Sequence, residues 1–274
     1  MEIRCIALDL DRTTLNERAR LSDGNRRALE YALSKGVHIV IASGRGFASL
    51  PEDVTAIPGI EYAVTSNGAS VYHLPTGTRL KTYALTPQSV RAVLSLTAGE
   101  RLAYEAFLDG AAYAPADYVE HPERYGVGKA APYIRATRTP VTDFPAFLEA
   151  HMGELESMDL VTVDEPLKQA MWALLRERVP DLYVTSSAPQ LLELTHRDGG
   201  KHSGVRFVAE RLGLTPDQIA AFGDGDNDVD LLRFAGRGIA VANATPACLA
   251  AADAVTLDHR EDGVAHGIYQ LLEL

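Results

Sequence analysis

Apolar positions fall into two alternating rhythms. Ile3 to Leu10 is a nearly unbroken apolar run and reads as a buried strand. Ser22 then supplies an N-cap for a helix carrying Leu29, Ala32 and Leu33, which Gly36 terminates. Val37 to Ala42 is a second β-rich run, with a further helix expected after it, and Tyr62 to Thr65 is a third strand. Ala69 to Tyr83 alternates as a hairpin broken at Pro75, Thr76 and Gly77. Short strands alternating with helices are the signature of βαβ units around a mostly parallel sheet.

The character changes at Thr86-Pro87, a helix start. Short strands are expected at Leu102–Phe107, Ala111–Ala114 and Asp159–Val163, among helical patterns at Phe144–His151 and Leu167–Arg178. A strand pair follows at Leu182–Thr185 and Gln190–Leu194, so this middle part reads as α+β. The βα rhythm then returns with helix Gly204–Leu212, strand Ile219–Phe222, helix Val229–Phe234, strand Gly238–Ala242 and a terminal helix near Val264–Leu272.

Composition narrows the class. With 46% hydrophobic and 23% charged residues over 274 positions, the chain is that of a folded protein of one large domain or two modest ones. Its 37 acidic and 26 basic residues give a net charge of −11, with no Lys/Arg-rich run, which argues against a nucleic-acid or anionic-membrane partner. Cys5 and Cys248 belong to no CxxC or Cys/His cluster, so neither a disulfide framework nor a zinc site is expected. No apolar run approaches the roughly 20 residues of a bilayer span, and no export signal is read at the N-terminus. The expectation is a cytoplasmic protein.

Candidate chemistry gathers just past the strands. Asp9 and Asp11 lie two apart where the first strand ends. In open parallel sheets working groups collect beyond the carboxyl ends of the strands, whereas a lone Asp there is an ordinary turn acid. Three further segments change that reading. Ser43-Gly44-Arg45 follows the second run and offers a hydroxyl and backbone N–H groups to an anion at a following helix start. Gly223-Asp224-Gly225-Asp226-Asn227-Asp228 follows Ile219–Phe222, and Gly199-Gly200-Lys201 precedes a helix. Converging carboxylates of Asp9, Asp224 and Asp228 would repel one another without a cation, and an all-oxygen set of this kind suits Mg2+. An EF-hand fails because Val229 and Ala235 occupy its glycine and glutamate positions; a Walker A loop fails because His202 follows Lys201.

With these segments in this order, the chain resembles the haloacid dehalogenase superfamily of phosphohydrolases. Asp9-Leu10-Asp11-Arg12-Thr13, Ser43-Gly44-Arg45, Lys201 and the Gly223–Asp228 loop are similar to its four motifs. Ser66-Asn67-Gly68-Ala69, Ala242-Asn243-Ala244 and Glu261-Asp262-Gly263-Val264-Ala265 resemble the Cof-like branch. Between Ser43 and Lys201 there is room for an insertion on the order of 100 residues. The resemblance implies a Rossmann-like α/β core of residues 1–84 and 188–274, with a type-two α+β cap at 85–187. It implies a small-molecule phosphate monoester as substrate, such as a sugar phosphate or phosphorylated cofactor.

The roles implied are Asp9 as the nucleophile that forms an aspartyl-phosphate and Asp11 as general acid and base. Asp9, the Asp11 backbone carbonyl, Asp224 and Asp228 would hold Mg2+, while Ser43, Gly44, Lys201 and Asn227 bind phosphate. Arg12, Arg45 and Asn67 are secondary candidates. Arg12 departs from the branch, which has glycine there. A phosphosugar mutase and a non-catalytic phosphate-ligand-binding protein are the alternatives.

Overall fold

A computed structural model describes residues 2–272 and divides the chain into two compact units. The first contains the chain up to Arg45, Leu50–Lys81 and the chain from Gly200 onward. Its sheet is built from β1 (Cys5–Leu8), β2 (His38–Ala42), β3 (Tyr62–Thr65), β4 (Ser70–His73) and β5 (Thr78–Thr82). The second unit supplies β6 (Leu102–Leu108), β7 (Ala111–Pro115), β8 (Arg138–Val141), β9 (Ser157–Thr162), β10 (Leu182–Thr185) and β11 (Leu191–His196). The first sheet is completed by β12 (Ile219–Gly223), β13 (Arg237–Ala240) and β14 (Ala254–Val255), giving the order β14-β13-β12-β1-β2-β3-β4-β5.

Strand β1 lies between β12 and β2 and runs parallel to both, with Leu8 opposite Phe222 on one side and Ile41 on the other. The strand order proceeds outward from β1 in both directions, so β1 is the topological switch point, where α/β sheets bind ligands. Successive side chains on these strands point to opposite faces, and both faces are covered. Ile6, Leu8, Ile39, Ile41 and Phe222 pack on one side with Leu29 and Ile268 of helices Asp23–Ser34 and Gly263–Leu272. Cys5, Ala7, Val40, Val64 and Ala221 pack on the other with Val205, Val208 and Leu232. Burial on both faces is why these strands read as apolar runs rather than alternations.

The helix starts are legible in the same way. The Ser22 hydroxyl accepts from Asn25 N at 3.1 Å, and Thr86 accepts from Ser89 N at 3.1 Å just before Pro87. After β2, however, the expected helix shrinks to a 3-10 turn at Phe47–Ser49 and four residues at Glu52–Thr55, because Gly46 and Pro51 break the run.

The second unit holds Gly46–Ser49 and Thr82–Gly199. Its sheet has the order β10-β11-β9-β6-β7-β8 and is antiparallel except for β7 and β8. Helices Pro87–Leu96, Phe144–His151 and Glu165–Arg178 bring Val90, Leu148 and Met171 onto a face made by Ala106, Met158, Leu160 and Leu194. On the opposite face Ala103, Ala114 and Val161 meet Tyr118 and Ile134. There Glu105, Asp159 and Glu193 stand in register across three strands, all buried. Glu105 accepts from the Tyr118 hydroxyl at 2.8 Å and pairs with Arg138.

The expected boundary at 187/188 falls inside this sheet instead: β11 pairs with both β10 and β9, so the chain leaves the unit only at Gly199. A strand held between two neighbours cannot be assigned apart from them.

Candidate active site

Every strand end around the switch point contributes. Asp9 follows β1, Ser43 follows β2, Ser66 follows β3 and Asp224 follows β12. Past Asp9 the backbone makes one tight turn over Leu10–Thr14, closed by Leu15 N donating to Leu10 O at 2.8 Å. The Thr14 hydroxyl donates to Asp9 O at 2.5 Å, and the Thr13 hydroxyl donates to Asp224 Oδ1 at 3.1 Å. Within this turn Arg12 has φ +61°, the left-handed region that favours glycine.

Asp9, Asp224 and Asp228 are buried, and their oxygens lie within 4.8 Å of one another. Lys201 opens the helix Lys201–Leu212, and its buried Nζ donates to Asp9 Oδ1 at 2.6 Å and to Asp228 Oδ1 at 2.7 Å. Asp228 Oδ2 accepts from Asp224 N and Gly225 N, both at 3.0 Å, which folds the acidic loop back on itself.

Burial pushes the Asp9 carboxyl well above the usual range; Lys201 works against this, while Asp228 and Asp224 add to it. Asp224 is pushed up to about 7, first by burial and then by Asp228, with Arg12 and Lys201 opposing. The same two carboxylates, Asp228 and Asp9, outweigh burial at Lys201 and hold its ammonium above the ordinary lysine value. One ammonium thus offsets one of three carboxylate charges. The remaining charge, the all-oxygen donors and the absence of His or Cys from the cluster fit a hard divalent cation.

The Ser43–Arg45 loop and the acidic loop are tied together by a strained turn. Ser66, Asn67 and Gly68 all have positive φ, at 48°, 51° and 89°. Ser66 N donates to Arg45 O at 2.9 Å and Asn67 N to Ser43 O at 3.1 Å. Asn67 Oδ1 accepts from Asn227 Nδ2 at 2.9 Å, so Asn227 reaches Asn67. At Gly68 a Cβ would stand 2.0 Å from the Gly200 carbonyl oxygen, so only glycine lets this turn approach the start of the Lys201 helix. Three consecutive left-handed residues, each costing on the order of 1 kcal/mol when not glycine, mark a turn that its surroundings hold in place.

The Asp11 side chain stands apart from the carboxylate triad. Its carboxylate is outside the cluster and is gripped at both oxygens by Arg45, at 2.8 Å from Nε and 2.6 Å from Nη2. Ser43 is buried, and its hydroxyl accepts from Arg45 N at 3.1 Å, so Gly44 sits at the apex of a loop rather than at the N-terminus of a helix.

Two residues emerge as site supports that the sequence reading did not assign. Asn243 donates from Nδ2 to Arg12 O at 2.9 Å while its Oδ1 accepts from His259 N. The Thr245 hydroxyl donates to Asp226 Oδ1 at 2.7 Å, and Asp226 is not part of the carboxylate cluster. The position of Asn243 in the Ala242-Asn243-Ala244 motif was the available signal; nothing local marked Thr245.

A buried triad of carboxylates, two of them bridged by lysine, at the switch point of a mostly parallel sheet is a set of residues that could hold a metal ion in an α/β protein. The sequence pattern of the haloacid dehalogenase-like hydrolases matches residues 6–268, and the chain belongs to that family. Among its relatives is the protein named phosphatase YwpJ of Bacillus subtilis, 29% identical, with 98% of this chain and 100% of that one aligned. The 5-amino-6-(5-phospho-D-ribitylamino)uracil phosphatase YcsE of the same organism is 25% identical over 98% of this chain and 95% of its own. The solved structure of a haloacid dehalogenase-like hydrolase from B. subtilis superposes with a TM-score of 0.84 at 28% identity, covering 98% of this chain and 100% of that one. Among the described residues no helix is long and apolar enough to cross a membrane.

Proposed function

We propose that the protein is a Mg2+-dependent phosphatase of small-molecule phosphate monoesters that works through an aspartyl-phosphate on Asp9. The observation that carries this is Asp9 itself: a buried carboxylate fixed through Oδ1 by Lys201, beside two further buried carboxylates, at the end of the central strand. A nucleophile held on one oxygen by an ammonium has its orientation set, and the Lys201 charge opposes the burial that favours the protonated form. Relatives named as phosphatases, one of them for a phosphorylated ribityl compound, support the same class of substrate.

Asp9, Asp224 and Asp228, with the Asp11 backbone carbonyl, are the residues that would hold Mg2+, which neutralises the phosphoryl charge when bound. Ser43 and the Gly44 N–H would receive the phosphoryl oxygens, with Lys201 balancing the charge that spreads over them. Asp9 would take the phosphoryl group as the leaving oxygen accepts a proton from Asp11. Asp11 would then draw a proton from the water that releases phosphate. To reach either proton, Asp11 has to exchange one of its two Arg45 contacts; the guanidinium fork therefore parks and aims the acid.

The test is phosphate release from an aryl phosphate and a panel of small esters, with and without Mg2+, in wild type and Asp9→Asn. Release that requires Mg2+ and vanishes in the variant is expected. Release that survives the substitution would remove Asp9 from the nucleophile's role, and phosphoryl transfer to a second sugar hydroxyl would make the enzyme a mutase.

A further inference from the structure

Arg12 is an expensive residue in its position. Its backbone sits at φ +61°, where a glycine would be unstrained, yet the chain places a guanidinium there. The turn is clamped from outside, since Asn243 Nδ2 donates to the Arg12 carbonyl and His259 N fixes Asn243 in turn. Arg12 Nε lies 3.7 Å from Asp224 Oδ2, and its side chain remains 55% exposed.

The charges around it are otherwise accounted for. Lys201 serves Asp9 and Asp228, and Arg45 serves Asp11. With a divalent ion held by Asp224, the guanidinium of Arg12, exposed to solvent beside that carboxylate, is free to pair with an anion of the ligand. Asp9, where phosphorus would be attacked, is held by Lys201 instead. An exposed guanidinium next to a residue that would hold the metal is available to an anionic group of a bound ester. We propose that Arg12 is a specificity residue that selects phosphate esters whose leaving group carries a second anionic group, a carboxylate or another phosphate. This rests on the phosphatase reading above and names its substrate class.

The test uses a matched pair of probes, 3-phosphoglycerate and glycerol 3-phosphate, which differ by a carboxylate in place of a hydroxymethyl group. Binding is measured by calorimetry with saturating Mg2+ in the Asp9→Asn protein, with and without Arg12→Gly or Arg12→Lys, and kcat/KM is measured in otherwise wild-type protein. With Arg12 present, 3-phosphoglycerate is expected to bind at least tenfold more tightly than glycerol 3-phosphate. Arg12→Gly should cut that ratio to below about threefold, while Arg12→Lys keeps most of it, because a single charge–charge contact near a protein surface is worth about a tenfold change.

A ratio near one in the presence of Arg12, or equal losses for both probes in Arg12→Gly, overturns the proposal; so does the absence of binding by either probe. If calorimetry shows the preference while no ester is hydrolysed by the wild type, the phosphatase reading fails and the recognition by Arg12 stands.

Discussion

Replacing Lys201 by methionine puts the electrostatics of the cluster under the greatest strain. The lysine side chain is fully buried, with Nζ 2.6 Å from Asp9 and 2.7 Å from Asp228. Methionine keeps much of the length and removes the charge, so the ammonium between two buried carboxylates disappears. Removing one partner of a buried ion pair costs about 3–5 kcal/mol. In a chain of this size each kcal/mol moves the melting temperature by about 2–4 °C, so a fall of roughly 6–20 °C is expected.

That loss should depend on pH with a definite sign. Burial and the neighbouring carboxylates already raise Asp9, and the variant lacks the lysine that opposes them. The folded variant therefore keeps a proton on Asp9 at pH values where the unfolded carboxyl, at about 3.9, has lost it. Such a group stabilises the fold at low pH, and that stability drains away as pH rises through the raised folded value. Thermal unfolding at about pH 5.5 and about pH 8 without divalent ion should show the variant's deficit growing with pH, and added Mg2+ should recover part of it. An equal deficit at both pH values, or none, would refute this account of the cluster.

Gly68→Ala should destabilise the first unit by several kcal/mol, since its Cβ would stand 2.0 Å from Gly200 O at a φ of +89°; a melting curve little changed from wild type would contradict that. Arg45→Ala releases Asp11 from both contacts, and a fall in kcat of roughly tenfold or more with a smaller change in KM is expected if the guanidinium aims the acid. In the second unit, Tyr118→Phe removes the hydroxyl bond to buried Glu105 and should cost about 1–3 kcal/mol in urea unfolding, while leaving Mg2+ affinity unchanged.

What the sequence revealed and what it hid have physical reasons. Strands β1, β2 and β12 are covered on both faces, so their residues form apolar runs that stand out from the surrounding text. Asp9, Ser43 and Asp224 follow these runs directly, and that adjacency draws attention to them as candidates. Strand β8 was not legible: Arg138-Thr139-Pro140-Val141 has no alternation, and it lies at a sheet edge, where a proline is tolerated.

The grip of Arg45 on Asp11 was equally hidden. It joins two loops through side-chain geometry, and nothing in either segment shows that these two side chains meet. Arg12 is visible in the sequence as a departure from glycine, but its left-handed backbone and the Asn243 clamp on its carbonyl come from contacts between segments distant in the chain. The limit of the second unit was misplaced because Leu191–His196 looks like any strand until its partners on both sides are known.

The central claim is the covalent role of Asp9, and the direct measurement is acid quenching of a single turnover with Mg2+ and an aryl phosphate, followed by peptide mass spectrometry. The account predicts a phosphoryl adduct on the peptide containing Asp9, present at early times, decaying as phosphate appears and absent from Asp9→Asn. Phosphate release at an undiminished rate with no adduct on Asp9, or an adduct that persists in the variant, would contradict it.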